Sequence, residues 1–150
     1  EITIDTQEYN YTYTPYNVKE ITNITFTVKG PRDAHLGLFA DVKSTFDGQP
    51  FYELVIGGWG NLRCALKRAG RGSVMSVTDE STHGYLNNQQ FRRFWVSWKN
   101  HVIKLGHGTV VGHSTILAYN AYNSAPMEIN HLALSAYGSL SIQWKYFNGR

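Results

Sequence analysis

Apolar and polar residues alternate with a period of two through much of this chain. In Ile24–Val28, Ile24, Phe26 and Val28 fall on one face, and Thr25 and Thr27 on the other. Phe94–Trp98 repeats the pattern, with Phe94, Val96 and Trp98 one way and Trp95 and Ser97 the other. In Leu140–Phe147, Leu140, Ile142, Trp144 and Tyr146 alternate with Ser141, Gln143 and Lys145. Such alternation predicts strands with one buried and one wet face. Asp47-Gly48-Gln49-Pro50, Gly70-Arg71-Gly72, Asn87-Asn88 and Gly106-His107-Gly108 suit tight reversals between the runs. Phe94–Leu105 predicts one hairpin turning near Lys99-Asn100. The runs add up to roughly ten to twelve strands, which predicts an all-β fold, a two-sheet antiparallel β-sandwich.

The stretch Phe51–Gly70 (FYELVIGGWGNLRCALKRAG) admits two structures. In one, Phe51–Ile56 is a strand and Gly57-Gly58-Trp59-Gly60 a loop that cradles a cofactor such as S-adenosylmethionine. Asn61 then caps a helix running through Arg68 and offering its free N–H groups. Asp79, about 20 residues past the glycines, would hold a ribose hydroxyl. That helix is short for a crossover between parallel strands, where about a dozen residues are usual. From Phe91 to Phe147 the chain supplies hairpins and no further strand–helix units. In the other structure, Leu62, Cys64 and Leu66 face one side and Arg63, Ala65 and Lys67 the other. Two strands then meet at a turn whose glycines supply positive φ. The period favours this second reading, and with it a single domain over residues 1–150.

Aromatic residues make up 14% of the chain and charged residues 17%, a balance that suits pleated, half-buried surfaces. The formal net charge of +3 permits an anionic partner and is small for nucleic-acid binding, which is not expected. The lone Cys64 excludes an internal disulfide and a zinc site built on several thiolates. On the apolar face of its strand it reads as a small buried hydrophobe. No run approaches the ~20 apolar residues of a transmembrane helix. The chain opens on Glu1, and the sequons Asn10-Tyr11-Thr12 and Asn23-Ile24-Thr25 would accept glycans. A processed, glycosylated, extracellular protein, secreted or at the cell surface, is therefore expected.

Two blocks carry a family likeness: Phe26-Thr27-Val28-Lys29-Gly30-Pro31-Arg32-Asp33-Ala34-His35-Leu36 and Tyr52-Glu53-Leu54-Val55-Ile56-Gly57-Gly58-Trp59-Gly60-Asn61. They resemble the farnesoic acid O-methyltransferase-like domain, found in arthropods and other invertebrates and within larger extracellular proteins. Phe94-Trp95-Val96-Ser97-Trp98, followed by a hairpin and Gly106-His107-Gly108, matches the family's second block. Cys64 and Leu66-Lys67 depart from it, standing where the family has a Ser and an Ile-Arg pair. The likeness covers about Ile24 to Phe147. The family name implies methyl transfer to farnesoic acid. The hairpins and closing strand are also similar in architecture to laminin G-like and galectin-like sandwiches, many of which bind glycans. A concanavalin/galectin-like jelly roll is thus the expected fold.

Among candidate functional residues, Trp95 shares the wetter side of its strand with Arg93 and Ser97, where an aromatic ring could stack on a sugar. Trp59 stands in the glycine turn, as a ligand platform or as a lid packed over the sandwich edge. Asn61 and Arg63 beside it would fix a ligand's orientation. Arg63, Lys67, Arg68 and Arg71 form the densest basic patch. His107 and His113 could meet across a turn without a third ligand, so no metal site is expected. Glu53 and Asp33 offer no acid–base pair whose separation can be argued from sequence. The reading is a non-catalytic, lectin-like module that binds glycans or glycoconjugates, including anionic ones, through Trp59, Asn61, Arg63 and Trp95, without a cofactor. The alternatives are the methyltransferase that the family name implies and a protein–protein or self-assembly module, the latter compatible with a homo-oligomer.

Overall fold

Ile24, Phe26 and Val28 are buried along β3 (Asn23–Lys29), as their alternation predicts, and neighbouring strands add matching inward rows. The computed structural model describes residues 4–6, 11–41, 51–69, 73–123, 126–136 and 141–149. Strands are numbered in chain order. One sheet runs β1 (Ile4–Thr6), β12 (Ile142–Gly149), β3, β8 (Arg92–Ser97), β9 (Val102–His107), β10 (Thr115–Asn120). The other runs β2 (Thr12–Asn17), β11 (His131–Ala136), β4 (Ala34–Phe39), β5 (Phe51–Gly57), β6 (Arg63–Ala69), β7 (Ser73–Val77). Neighbours in both sheets pair antiparallel, so the fold is the all-β, two-sheet sandwich expected. β8 and β9 form the predicted hairpin through a single turn at Lys99–His101.

One core fills the space between the sheets. Phe26, Phe94, Val96 and Trp144 enter it from the first sheet, and Leu36, Leu54, Ile56 and Leu66 from the second. Phe26 packs against Phe94 at 6.2 Å and Trp144 at 5.8 Å between ring centroids. Each such side chain contributes about 1.5–3 kcal/mol through burial. A second, smaller cluster lies on the outer face of the second sheet, where Phe39 and Phe51 stack at 4.3 Å and Tyr11 and Tyr13 cover them. Among the described residues no helix is long and apolar enough to cross a membrane.

Two expectations fail at particular positions. Trp95 does not face water: it is fully buried although it points away from the core between the sheets. The segment after β9 folds back over it, and the indole N–H donates to the His113 carbonyl at 2.7 Å. The opposing residue is Gly106, where a Cβ would collide with the indole. Gly106 and His107 accordingly stay within β9, and the reversal follows at residues 108–114. In β12 the alternation holds for Ile142 and Trp144, then breaks. The register shifts between Lys145 and Asn148, Tyr146 adopts φ 60, and its ring is 44% exposed. Phe147 takes the inward place instead, 5.7 Å from Phe26. A bulge of this kind re-aims one side chain and resets the strand's facing. The turns expected at 47–50 and 70–72, Leu140 and Asn10 lie outside the described residues.

Trp95→Ala should cost about 3–5 kcal/mol of stability, the range for truncating a buried aromatic. Gly106→Ala should cost about 1–3 kcal/mol by overpacking against the same ring. Denaturant unfolding of the two variants checks both values. A solvent-facing Trp95 would leave stability nearly unchanged.

Candidate functional site

Leu36, Leu54 and Leu66 are Cα partners across β4, β5 and β6, and all three are fully buried. Residues one step away in each strand must then point outward. One outward row reads Ser135, His35, Val55, Ala65, and the next reads Ala133, Gly37, Glu53, Lys67. The small residues in these rows keep the surface low, while longer side chains rise around them. The result is a cleft of about 460 Å³ on the outer face of the second sheet, walled by Tyr11, Arg32, Asp33, His35, Glu53, Trp59 and Lys67.

The Tyr11 hydroxyl donates to Oε2 of Glu53, and Nδ1 of His35 lies 3.6 Å from the same oxygen. Gly37 allows this approach, since a Cβ there would stand only 2.9 Å from the Tyr11 ring and would strike Phe39. Burial above all, with the Glu53 carboxylate adding to it, holds the Tyr11 pKa well above its ordinary value, so Tyr11 remains a donor. Burial also lowers the His35 pKa, against the opposing pull of Glu53 and Asp33. His35 therefore presents a neutral imidazole at pH 7. Arg32 pairs with Asp33 at 2.9 Å, and the Lys67 ammonium lies 5.7 Å from the centre of the Trp59 ring. Ser135 lines the same cleft with its hydroxyl buried and without a hydrogen-bond partner among the described residues.

Of the four contact residues expected from sequence, Trp59 alone lines this cleft, 48% exposed at its rim. It occupies a short turn, Gly58–Asn61, in which Gly57, Trp59, Gly60 and Asn61 take φ values of 71, 52, 70 and 71. The glycines at 57 and 60 thus serve backbone geometry, in keeping with the strand–turn–strand reading. β6 stands where the helix of a cofactor-binding unit would have to run, and Asp79 is exposed on the segment beyond β7. Asn61 is committed to structure. Its Oδ1 accepts the N–H of Leu86 at 2.8 Å and of Tyr85 at 3.3 Å, and its Nδ2 donates to the Leu86 carbonyl at 2.8 Å. Arg63 donates to the Thr78 carbonyl at 3.0 Å and lies 3.5 Å from Glu80. Trp95 is sealed under its loop and does not present the exposed ring expected of it, and neither Asn61 nor Arg63 lines this cleft.

The expected basic patch is likewise dispersed. Lys67 reaches the cleft, Arg68 is buried with its guanidinium donating to the Tyr52 hydroxyl at 2.8 Å, and Arg71 lies outside the described residues. Cys64 is buried as expected, its thiol pushed up to about 12 by desolvation, far from the range of a reactive thiolate. Among the described residues no three His, Cys, Asp or Glu side chains converge as a metal site would require. The sequence reading missed Tyr11, His35, Glu53 and Ser135. For His35, Glu53 and Ser135 a signal was present: polar residues at outward positions of otherwise apolar strands, interleaved with glycine and alanine.

A family model described as farnesoic acid O-methyl transferase matches residues 5–149. Among solved structures, the chain is similar to a GH16 protein of the Bacteroides ovatus mixed-linkage glucan PUL, solved in complex with a G4G4G3G product. That match has 7% identity and a TM-score of 0.60, and covers 99% of this chain and 74% of the other. It is also similar to the galectin LEC-6 of Caenorhabditis elegans, at 10% identity and a TM-score of 0.48 over 97% of this chain and 95% of the other. The likeness to the GH16 protein is one of fold. No curated protein sequence matches the chain.

The lowered pKa of His35 has a consequence for stability. The folded state binds this proton less readily than the unfolded chain, whose histidine titrates near 6.5. Both states are deprotonated well above pH ~6.5, and His35 opposes folding increasingly as the pH falls through that value toward its lower folded pKa. An NMR titration should place the His35 midpoint below 6.5. His35→Gln should lose less thermal stability than the parent between pH 7 and 5. A midpoint above 6.5 would contradict the burial argument.

Proposed function

The chain belongs to the farnesoic acid O-methyl transferase family, and we propose that it acts as a non-catalytic carbohydrate-binding module through the cleft on the outer face of its second sheet. The observation that carries this reading is the meeting of Glu53, His35 and Lys67 in one cleft with the half-exposed Trp59 ring at its rim. The Glu53 carboxylate accepts from adjacent sugar hydroxyls, Lys67 donates to them, and Trp59 covers the apolar face of a ring. A few fixed polar groups beside one large aromatic surface is the usual plan of a small-ligand site. Lys67 also suits the carboxylate or sulfate of an anionic sugar.

The G4G4G3G product held by the similarly folded GH16 protein agrees with this reading. Methyl transfer, which the family name suggests, would need a cofactor site. The loop 57–60 leads into β6, and Asp79 lies outside the cleft, so neither residue group favours it. We place the module outside the cell on the sequence grounds given above, as part of the same proposal.

A glycan array spanning neutral, acidic and sulfated sugars tests the function. Saturable binding is expected, weakened about tenfold or more in Glu53→Gln, since a hydrogen bond to a charged group is worth ~1.5–3 kcal/mol. Trp59→Ala should weaken it too, and Arg63→Gln should leave it intact. Silence across the array, or binding indifferent to both cleft variants, would sink the proposal.

A further inference from the structure

The outer face of the first sheet carries a second concavity, unrelated to the cleft. Asn23, Thr25 and Thr27 point outward along β3, between inward Ile24, Phe26 and Val28. Thr27 has Lys145 of β12 as its Cα partner on one side and Arg93 of β8 on the other. Small hydroxyl residues therefore lie between larger side chains from both flanking strands. Two recesses of about 320 and about 630 Å³ share Thr25 and Thr109 and so form one groove. Arg93 and Tyr146 wall one part, and Val110 and Asn148 the other. The bulge that turns Tyr146 outward builds part of this wall.

Beyond Thr27 the face becomes cationic. The ammonium groups of Lys29 and Lys145 lie 5.0 and 4.0 Å from the centre of the same ring, Phe91. Two like charges are thus gathered at one place, and Arg93 stands across β3 from Lys145. No described carboxylate forms an ion pair with Lys29, Arg93 or Lys145. At ~3.4 Å per residue the stretch from Asn23 to Lys29 measures roughly 20 Å, room for several sugar rings.

We infer that this groove is a second binding site, for a sulfated polysaccharide chain lying along β3. Its hydroxyl groups would meet the threonine and asparagine floor, and its sulfates the three cations. A recessed channel admits a single chain, whereas a bilayer surface needs a protruding face. The rings of Phe91 and Tyr146 already carry lysine ammonium groups, which leaves no bare aromatic ring here for stacking nucleic-acid bases. With the cleft on the opposite sheet, the site would make the domain bivalent, and it stands whether or not the cleft binds glycans.

Binding of heparin is the test, on protein made without N-glycosylation because Asn23 lies in the groove. Saturable binding that weakens with added salt is expected. Arg93→Gln combined with Lys145→Gln should lower affinity about tenfold or more, at an unchanged thermal midpoint. If the Lys145 change disturbs the bulge, Arg93→Gln alone should still weaken binding. Arg63→Gln, which removes a cation from neither the groove nor the cleft, should bind heparin as the parent does. Equal binding of desulfated heparin, of poly(U) or of phosphatidylserine vesicles would overturn the inference. So would undiminished binding by the double variant.

Discussion

The register of β4, β5 and β6 is the constraint on which the candidate site depends. Leu36, Leu54 and Leu66 meet in one inward row and are sealed in the core, at about 1.5–3 kcal/mol each. Sliding any one strand by a single residue would expose its leucines and bury polar groups in their place. Because that slip is forbidden, His35, Glu53, Lys67 and Ser135 are brought to one outer surface without needing to attract each other. The core thereby sets the geometry of the cleft.

Small residues do the complementary work. Gly37 lets the Tyr11 ring settle close enough to donate to Glu53, and Gly106 lets Trp95 lie against β9. The Gly57–Asn61 turn, locked by Asn61 to Tyr85 and Leu86, projects Trp59 over the rim of the cleft. Around Glu53 the electrostatics is balanced: Tyr11 is a permanent donor, His35 is neutral at pH 7, and Lys67 supplies a positive charge beside an aromatic ring. That set of groups can hold hydroxyls and a negative charge in fixed positions.

Much of the fold was legible in the chain. Ile24, Phe26 and Val28, the Phe94–Leu105 hairpin and the buried Cys64 follow from period two alone, because a strand's facing is a local property. What local patterns do not encode is closure. Trp95 has the facing that its strand predicts, and it is buried only because a segment more than a dozen positions later folds over it through His113. Tyr146 departs from alternation at a bulge that no glycine marks. The site was the least visible part. Asn61 and Arg63 sit beside Trp59 in sequence yet turn to Leu86 and Thr78. The groups that do share the cleft with Trp59 come from β4, β5, β6, β11 and the segment before β2, and only the pairing register makes them neighbours.

The four tryptophans give the most direct reading of the central claim, that ligand enters the cleft on the second sheet. Their indole N–H resonances can be followed while the domain is titrated with the tightest-binding glycan of an array. Entry at the cleft requires the Trp59 signal to move with saturation while those of the buried Trp95 and Trp144 stay in place. A saturable glycan that leaves Trp59 unmoved would contradict it.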